Sequence, residues 1–120
     1  MTEFLSERQV AVVIAGTAAA TIFGPVPPQM SARIYSLRYN NPTGGTVTGY
    51  LQQFGTLAGY SPSSGTQNID AVTLGPGETE SNDNGESVLT KVSPGNTVWL
   101  IATAGSLIAR VTYEYYYGRT

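Results

Sequence analysis

Alternation of apolar and polar side chains is clearest near the end of the chain. Leu107, Ala109, Val111, Tyr113, Tyr115 and Tyr117 share one parity; Ile108, Arg110, Thr112, Glu114 and Tyr116 share the other. A period of two held over this length predicts a long, half-buried β-strand. Thr97 to Ala102 is apolar on both parities and predicts a central strand of a sandwich. Ala104-Gly105, lying between them, predicts a tight turn and hence a hairpin joining these two strands. Further strands are expected at Gln9–Ala15, Ala18–Phe23, Met30–Asn40, Thr46–Gln53, Asn68–Leu74 and Glu86–Val92. Within Met30–Asn40, Ile34 and Leu37 fall on opposite parities. A β-bulge or a strong twist would reconcile the two.

Turn chemistry separates these runs. Gly75-Pro76-Gly77 and Ser93-Pro94-Gly95 both suit a type II turn, in which Pro presets the first central φ and Gly takes a positive φ at the second. Asn40 to Gly45 reads as a hairpin-type loop, and Leu57 to Gln67 as a longer polar loop. The one helical signal is a single turn over Thr2 to Gln9, with Thr2 as its N-cap. The pattern predicts an all-β fold: a single β-sandwich of about eight strands, jelly-roll-like or immunoglobulin-like. Residues 9–120 would form the sandwich and residues 1–8 an N-terminal arm. Trp99 and Leu100 are expected to be mostly buried.

Composition narrows the chemistry. The 120 residues suit one domain and contain neither His nor Cys; 12% are charged. Disulfides and thiolate–metal sites are therefore excluded. A Ser or Thr nucleophile would need Lys or a carboxylate as base, and the single Lys, Lys91, has Val88 rather than Ser three residues before it. No phosphate-binding glycine loop occurs, and no spacing selects a catalytic carboxylate pair. An enzyme is not expected, nor is a cofactor.

The formal net charge is -2. The basic residues Arg8, Arg33, Arg38, Lys91, Arg110 and Arg119 are scattered along the chain, with no basic run. Neither a nucleic-acid nor a membrane partner is expected on that ground. The N-terminal segment carries Glu3 and Glu7 against Arg8 instead of a positive n-region, so a cleaved signal is not expected.

Two groups of residues stand out. Glu80, Asn82, Asn84 and Gly85 mimic the opening positions of a calcium loop, but position 12 would be Lys91 where a bidentate Glu is needed. A solvated loop between strands is the preferred reading. Tyr113, Tyr115, Tyr116 and Tyr117 crowd the last strand, with Tyr35, Tyr39, Tyr50 and Tyr60 elsewhere. Tyrosine covers apolar area while keeping a polar tip, which suits both cores and contact surfaces. Tyr116, on the outer parity, is the better interface candidate. Tyr60 or Trp99 could serve as platforms if the chain were a carbohydrate-binding module, although the apolar run around Trp99 argues against that residue.

The order of pieces resembles a family of small virion proteins of tailed phages and archaeal viruses. The resemblance rests on Ala32-Arg33-Ile34-Tyr35-Ser36-Leu37, Asn40-Asn41, Val72-Thr73-Leu74-Gly75-Pro76-Gly77-Glu78-Thr79, Ser93-Pro94-Gly95-Asn96-Thr97-Val98 and Ala109-Arg110-Val111-Thr112. It spans about Val10 to Tyr117, and the Leu57–Gln67 loop and the Tyr-rich end depart from it. It implies a non-enzymatic capsid decoration (cement) protein on the outside of an icosahedral shell, or a neck, tail or spike component. The implied partners are the major capsid protein or other virion subunits and further copies of the chain, with trimers favoured. The implied location is the virion, after synthesis in the host cytoplasm. Within this reading Phe4 and Leu5 of the arm, with Tyr60 and Tyr116, are the expected contact residues; the alternative for Phe4 and Leu5 is that they cap the protein's own core. A carbohydrate-binding β-sandwich is the alternative from a different class.

Overall fold

The computed structural model describes residues 8–56, 64–83 and 89–117. Nine strands follow one another: β1 (Gln9–Ala15), β2 (Ala20–Phe23), β3 (Met30–Asn40), β4 (Val47–Thr56), β5 (Ser64–Leu74), β6 (Thr79–Asp83), β7 (Thr90–Val92), β8 (Thr97–Ala102) and β9 (Leu107–Tyr117). They form two antiparallel sheets. Sheet A has the order β1-β9-β3-β6, with β7 also on β3; sheet B has the order β2-β8-β4-β5. Nine strands fill eight positions because β6 pairs with Ser36–Asn40 and β7 with Ala32–Ile34 of the same β3.

The pairing is nested. β1 lies on β9, β2 on β8, β3 on β6 and β7, and β4 on β5. All connections cross between the sheets except β4–β5 and β6–β7. This wound ribbon is the jelly-roll arrangement, and it excludes the immunoglobulin-like alternative.

Several expected elements are found with their predicted bounds, including Gln9–Ala15 and Met30–Asn40. Of the two devices that could resolve the parity conflict in β3, the structure has the bulge. Ile34 pairs with Tyr113 and Ser36 with Thr112, so Tyr35 is the inserted residue. Ala32, Ile34, Leu37 and Tyr39 consequently all join the core. Both Pro-Gly turns close as expected. Glu78 N–H donates to the Gly75 carbonyl at 3.1 Å and Asn96 N–H to the Ser93 carbonyl at 3.2 Å. Gly77 and Gly95 take φ of 74° and 85°.

Other expectations are corrected. Ala104-Gly105 does not close a hairpin: β8 belongs to sheet B and β9 to sheet A, so this turn carries the chain from one sheet to the other. The Asn40–Gly45 loop is likewise a crossing, from β3 to β4. Ser64–Gln67, expected in a loop, extends β5, and Thr79–Asp83 is an edge strand instead of a solvated loop. Of the calcium-loop candidates, Glu80 and Asn82 lie in that strand; Asn84 and Gly85 fall outside the described residues. Among the described residues no cluster of acidic side chains could hold a metal ion.

The core sits between the sheets. Ile34, Leu107 and Val111 of sheet A meet Leu51, Val98 and Leu100 of sheet B, all fully buried. Phe23 of β2 stacks on Tyr113 of β9 with ring centroids 4.2 Å apart, and Tyr115 meets the Phe23 ring edge-on at 6.0 Å. Among the buried polar residues is Asn41, which is fully buried. Its Nδ2 donates to the carbonyls of Gly45, Leu74 and Gly75, and its Oδ1 accepts from Thr43 N–H and Oγ1. One side chain thereby ties the β3–β4 crossing to the β5–β6 crossing.

Candidate interaction surface

The outer face of sheet A is built from residues that alternate away from the core. Three cross-strand rows run over it: Val10–Thr112–Ser36, Val12–Arg110–Arg38–Ser81 and Ile14–Ile108–Asn40–Thr79. The β1 end of each row is apolar and the middle row carries two arginines. Val10, Val12 and Ile14 are 51%, 60% and 63% exposed. Val12, Ile108, Arg110, Arg38, Asn40 and Thr79 line a shallow groove of about 290 Å³.

Arg38 and Arg110 are both exposed. Like charges directly opposite on adjacent strands repel each other. The guanidinium forks nevertheless share this row, beside hydroxyls of Ser36, Ser81 and Thr112. Such a pair matches a carboxylate or another planar oxyanion.

The other end of the face is internally neutralised. Glu114 sits at an outward position but is only 5% exposed. Its Oε1 accepts from the Tyr35 phenol and lies 3.3 Å from Arg33 Nη1. Burial of that carboxylate is compensated by a cation and a hydrogen bond. The Arg33 guanidinium lies 3.7 Å from the centre of the Tyr116 ring, and the Arg8 guanidinium 3.7 Å from that of Tyr35. Hydrogen bonding with Tyr35 holds Arg33 above its ordinary pKa against the opposing effect of burial. The β3 bulge places Tyr35 where it can serve Glu114.

Sheet B presents a different outer face. Asp70 is the sole charged residue in its four strands. It accepts a 2.9 Å hydrogen bond from the buried Tyr39 phenol. Burial first, then the charge of Asp70, push the Tyr39 phenol well above the usual range. Trp99 and Leu100 are both mostly buried as expected, Leu100 fully within the core and Trp99 on the outer side of the sheet. Trp99 Nε1 donates to Gln52 Oε1 at 2.8 Å, and Gln52 Nε2 to Asn68 Oδ1 at 2.8 Å. Phe54, 46% exposed, stacks on Trp99 at 5.7 Å. An aromatic pair framed by amides thus lies on an uncharged face.

Of the expected contact residues, Phe4, Leu5 and Tyr60 lie outside the described residues. Tyr116 occupies the outer face as its parity predicts, but it is 8% exposed and covered by Arg33. The surface rows Val10, Val12, Ile14 and Arg38, Arg110 were not singled out by sequence. The available signal was that residues 10–15 are apolar on both parities.

No family model matches the chain, and no curated protein matches it. Among solved structures, it is similar to a protein of Bacillus endospore appendages, which form disulfide-linked pili. The identity is 18%, the match covers 96% of this chain and 88% of that one, and the TM-score is 0.46. It is also similar to PirA, at 14% identity over 93% of this chain and 94% of that chain, TM-score 0.44. A third likeness is to a chain of the T13 particle of infectious bursal disease virus, at 9% identity over 97% of this chain and 36% of that chain, TM-score 0.43. All three scores fall below 0.5, so the jelly-roll assignment rests on strand order and register.

Proposed function

We propose that this protein is a non-enzymatic virion structural protein, a decoration protein that docks on the outside of an icosahedral shell through the outer face of sheet A. The observation that carries this reading is the exposed row Val10, Val12 and Ile14 beside the paired guanidinium groups of Arg38 and Arg110. Exposed apolar side chains next to unmatched charge are features of an interface. Jelly-roll sandwiches recur in capsid proteins and also in lectins, so the fold is a supporting analogy and the surface carries the argument. A chain without His or Cys has little equipment for catalysis.

A copy that bridges shell subunits adds contact area only in the assembled state, and so stabilises the particle by mass action. Residues 1–8 are the segment that would reach a neighbour, with Phe4 and Leu5 as its apolar anchor; further copies of the chain would complete a closed cluster, with three-fold symmetry implied by the family resemblance. The test is electron microscopy of the source particle, with co-sedimentation of the chain lacking residues 1–7. The deletion stops there because Arg8 packs on Tyr35. Density on the shell exterior and weakened binding of the truncated chain are expected. Density confined to a neck or tail would select that location, and absence from the particle would overturn the reading.

A second reading is favoured by one observation, the stacked Phe54 and Trp99 on an uncharged face with Gln52 and Asn68 beside them. Flat aromatic faces with neutral amides suit sugar rings. Clear binding on a glycan array, lost in Trp99→Ala, would establish a carbohydrate-binding role.

A further inference from the structure

Edge strands expose unpaired backbone groups, and proteins usually blunt them with charge, proline, bulges or brevity. Three of the four sheet edges here follow that rule. β2 is four residues long with a register shift, β5 carries Asp70 and a bulge opposite Leu51 and Gln52, and the edge opposite β1 is split between β6 and β7 and carries Glu80 and Lys91. β1 is the exception. It runs seven residues, QVAVVIA, without charge, proline or break, in continuous register with β9 from Gln9 to Ala15. Three of the five large apolar side chains exposed on the described surface stand on it.

We propose that β1 pairs antiparallel with β1 of a second copy, on a two-fold axis through Val12, joining two A sheets into one. The strand is complementary to itself in that register and in no way hindered by charge. Val12 meets Val12 of the second copy, Val10 meets Ile14, and Ala11 meets Val13, so outward faces outward and core side faces core side. Each apolar row then continues across the axis, its side chains flanked by those of the second copy while still facing outward. The nearest charges, the two Arg110 side chains, stand three strand spacings apart, roughly 14 Å, beyond the screening length at physiological salt. No other described edge offers the second copy a strand of equal length without charge or bulge. Main-chain hydrogen bonds supply affinity and the Val and Ile side chains fix the register. This contact goes beyond the decoration reading and does not depend on it.

The test is sedimentation velocity of the isolated chain from micromolar to near-millimolar concentration, with Val12→Lys, Val12→Glu and their equimolar mixture. Position 12 is exposed, so both variants should keep the far-ultraviolet spectrum of the parent, with Val12→Lys melting slightly lower and Val12→Glu slightly higher because Arg110 stands opposite. A reversible dimer is expected for the parent. Each variant alone should dissociate at least about tenfold more readily, because like charges would meet on the axis. The mixture should dimerise again, as the ammonium introduced in one copy would face the carboxylate introduced in the other. A parent monomeric throughout, a dimer indifferent to both variants, or a mixture that stays monomeric would each overturn the proposal.

Discussion

Arg38 and Arg110 stand directly opposite each other on the outer face of sheet A, and no described carboxylate lies within ion-pair distance of either. This repulsion is a standing cost to the isolated sheet. Arg38→Glu should therefore stabilise the isolated domain by about 0.3–1 kcal/mol through a cross-strand pair with Arg110. The same change should weaken docking on an acidic shell. Urea denaturation reads the first effect and co-sedimentation with particles the second. A destabilised variant that binds as well as the parent would show that the pair is merely solvated.

Glu114→Gln tests the neutralised end of the same face. The substitution removes the charge that faces Arg33 while keeping the shape, and should cost about 1–3 kcal/mol by urea denaturation. Tyr35→Phe should cost less, about 1 kcal/mol, since Arg33 still faces the carboxylate.

Asn41→Ala should be among the most destabilising single changes, at roughly 2–4 kcal/mol. It would strip partners from the carbonyls of Leu74 and Gly75 and from Thr43 N–H. Asn41→Asp should also be poor, because its carboxylate cannot donate to those carbonyls. An Asn41→Ala protein more resistant to urea than Glu114→Gln would contradict this ranking.

Stability should also depend on alkaline pH. Burial raises the phenols of Tyr39, Tyr113 and Tyr115 above the ordinary value of 10.0. The unfolded chain thus releases these protons first, and the folded state binds more protons above that value. Stability from this source is fully present below about pH 10 and falls as pH rises toward the folded values, by up to about 1.4 kcal/mol per pH unit for each tyrosine. Urea midpoints measured from pH 8 to 11.5 (an approximate span set by the reference tyrosine value) check the slope. Tyr39→Phe should flatten it in part.

Local rules made much of the fold readable from the chain. The strand bounds of Gln9–Ala15, Met30–Asn40, Thr97–Ala102 and Leu107–Tyr117 follow from side-chain alternation and β-propensity. The need for a bulge or twist in β3 follows from a single parity conflict, and the two Pro-Gly turns from φ preferences of two residues. Each of these depends on neighbours in sequence. By contrast, Thr79–Asp83 is polar throughout and forms a strand only because β3 offers it a free edge.

What the chain could not decide locally was which strands lie side by side. Ala104-Gly105 has the same turn chemistry whether it closes a hairpin or carries the chain between sheets, and burial of both apolar faces chose the second. That choice turned Trp99 outward to meet Gln52 and Phe54. It also brought Arg110, far along the chain from Arg33 and Arg38, onto the same outer face and left the apolar side of β1 uncovered beside them. The elements themselves were legible from the chain, since each is a short-range property of the backbone and its alternating side chains. The surface that faces a partner was settled only by non-local pairing, because a residue's outer neighbours come from strands far away in the chain.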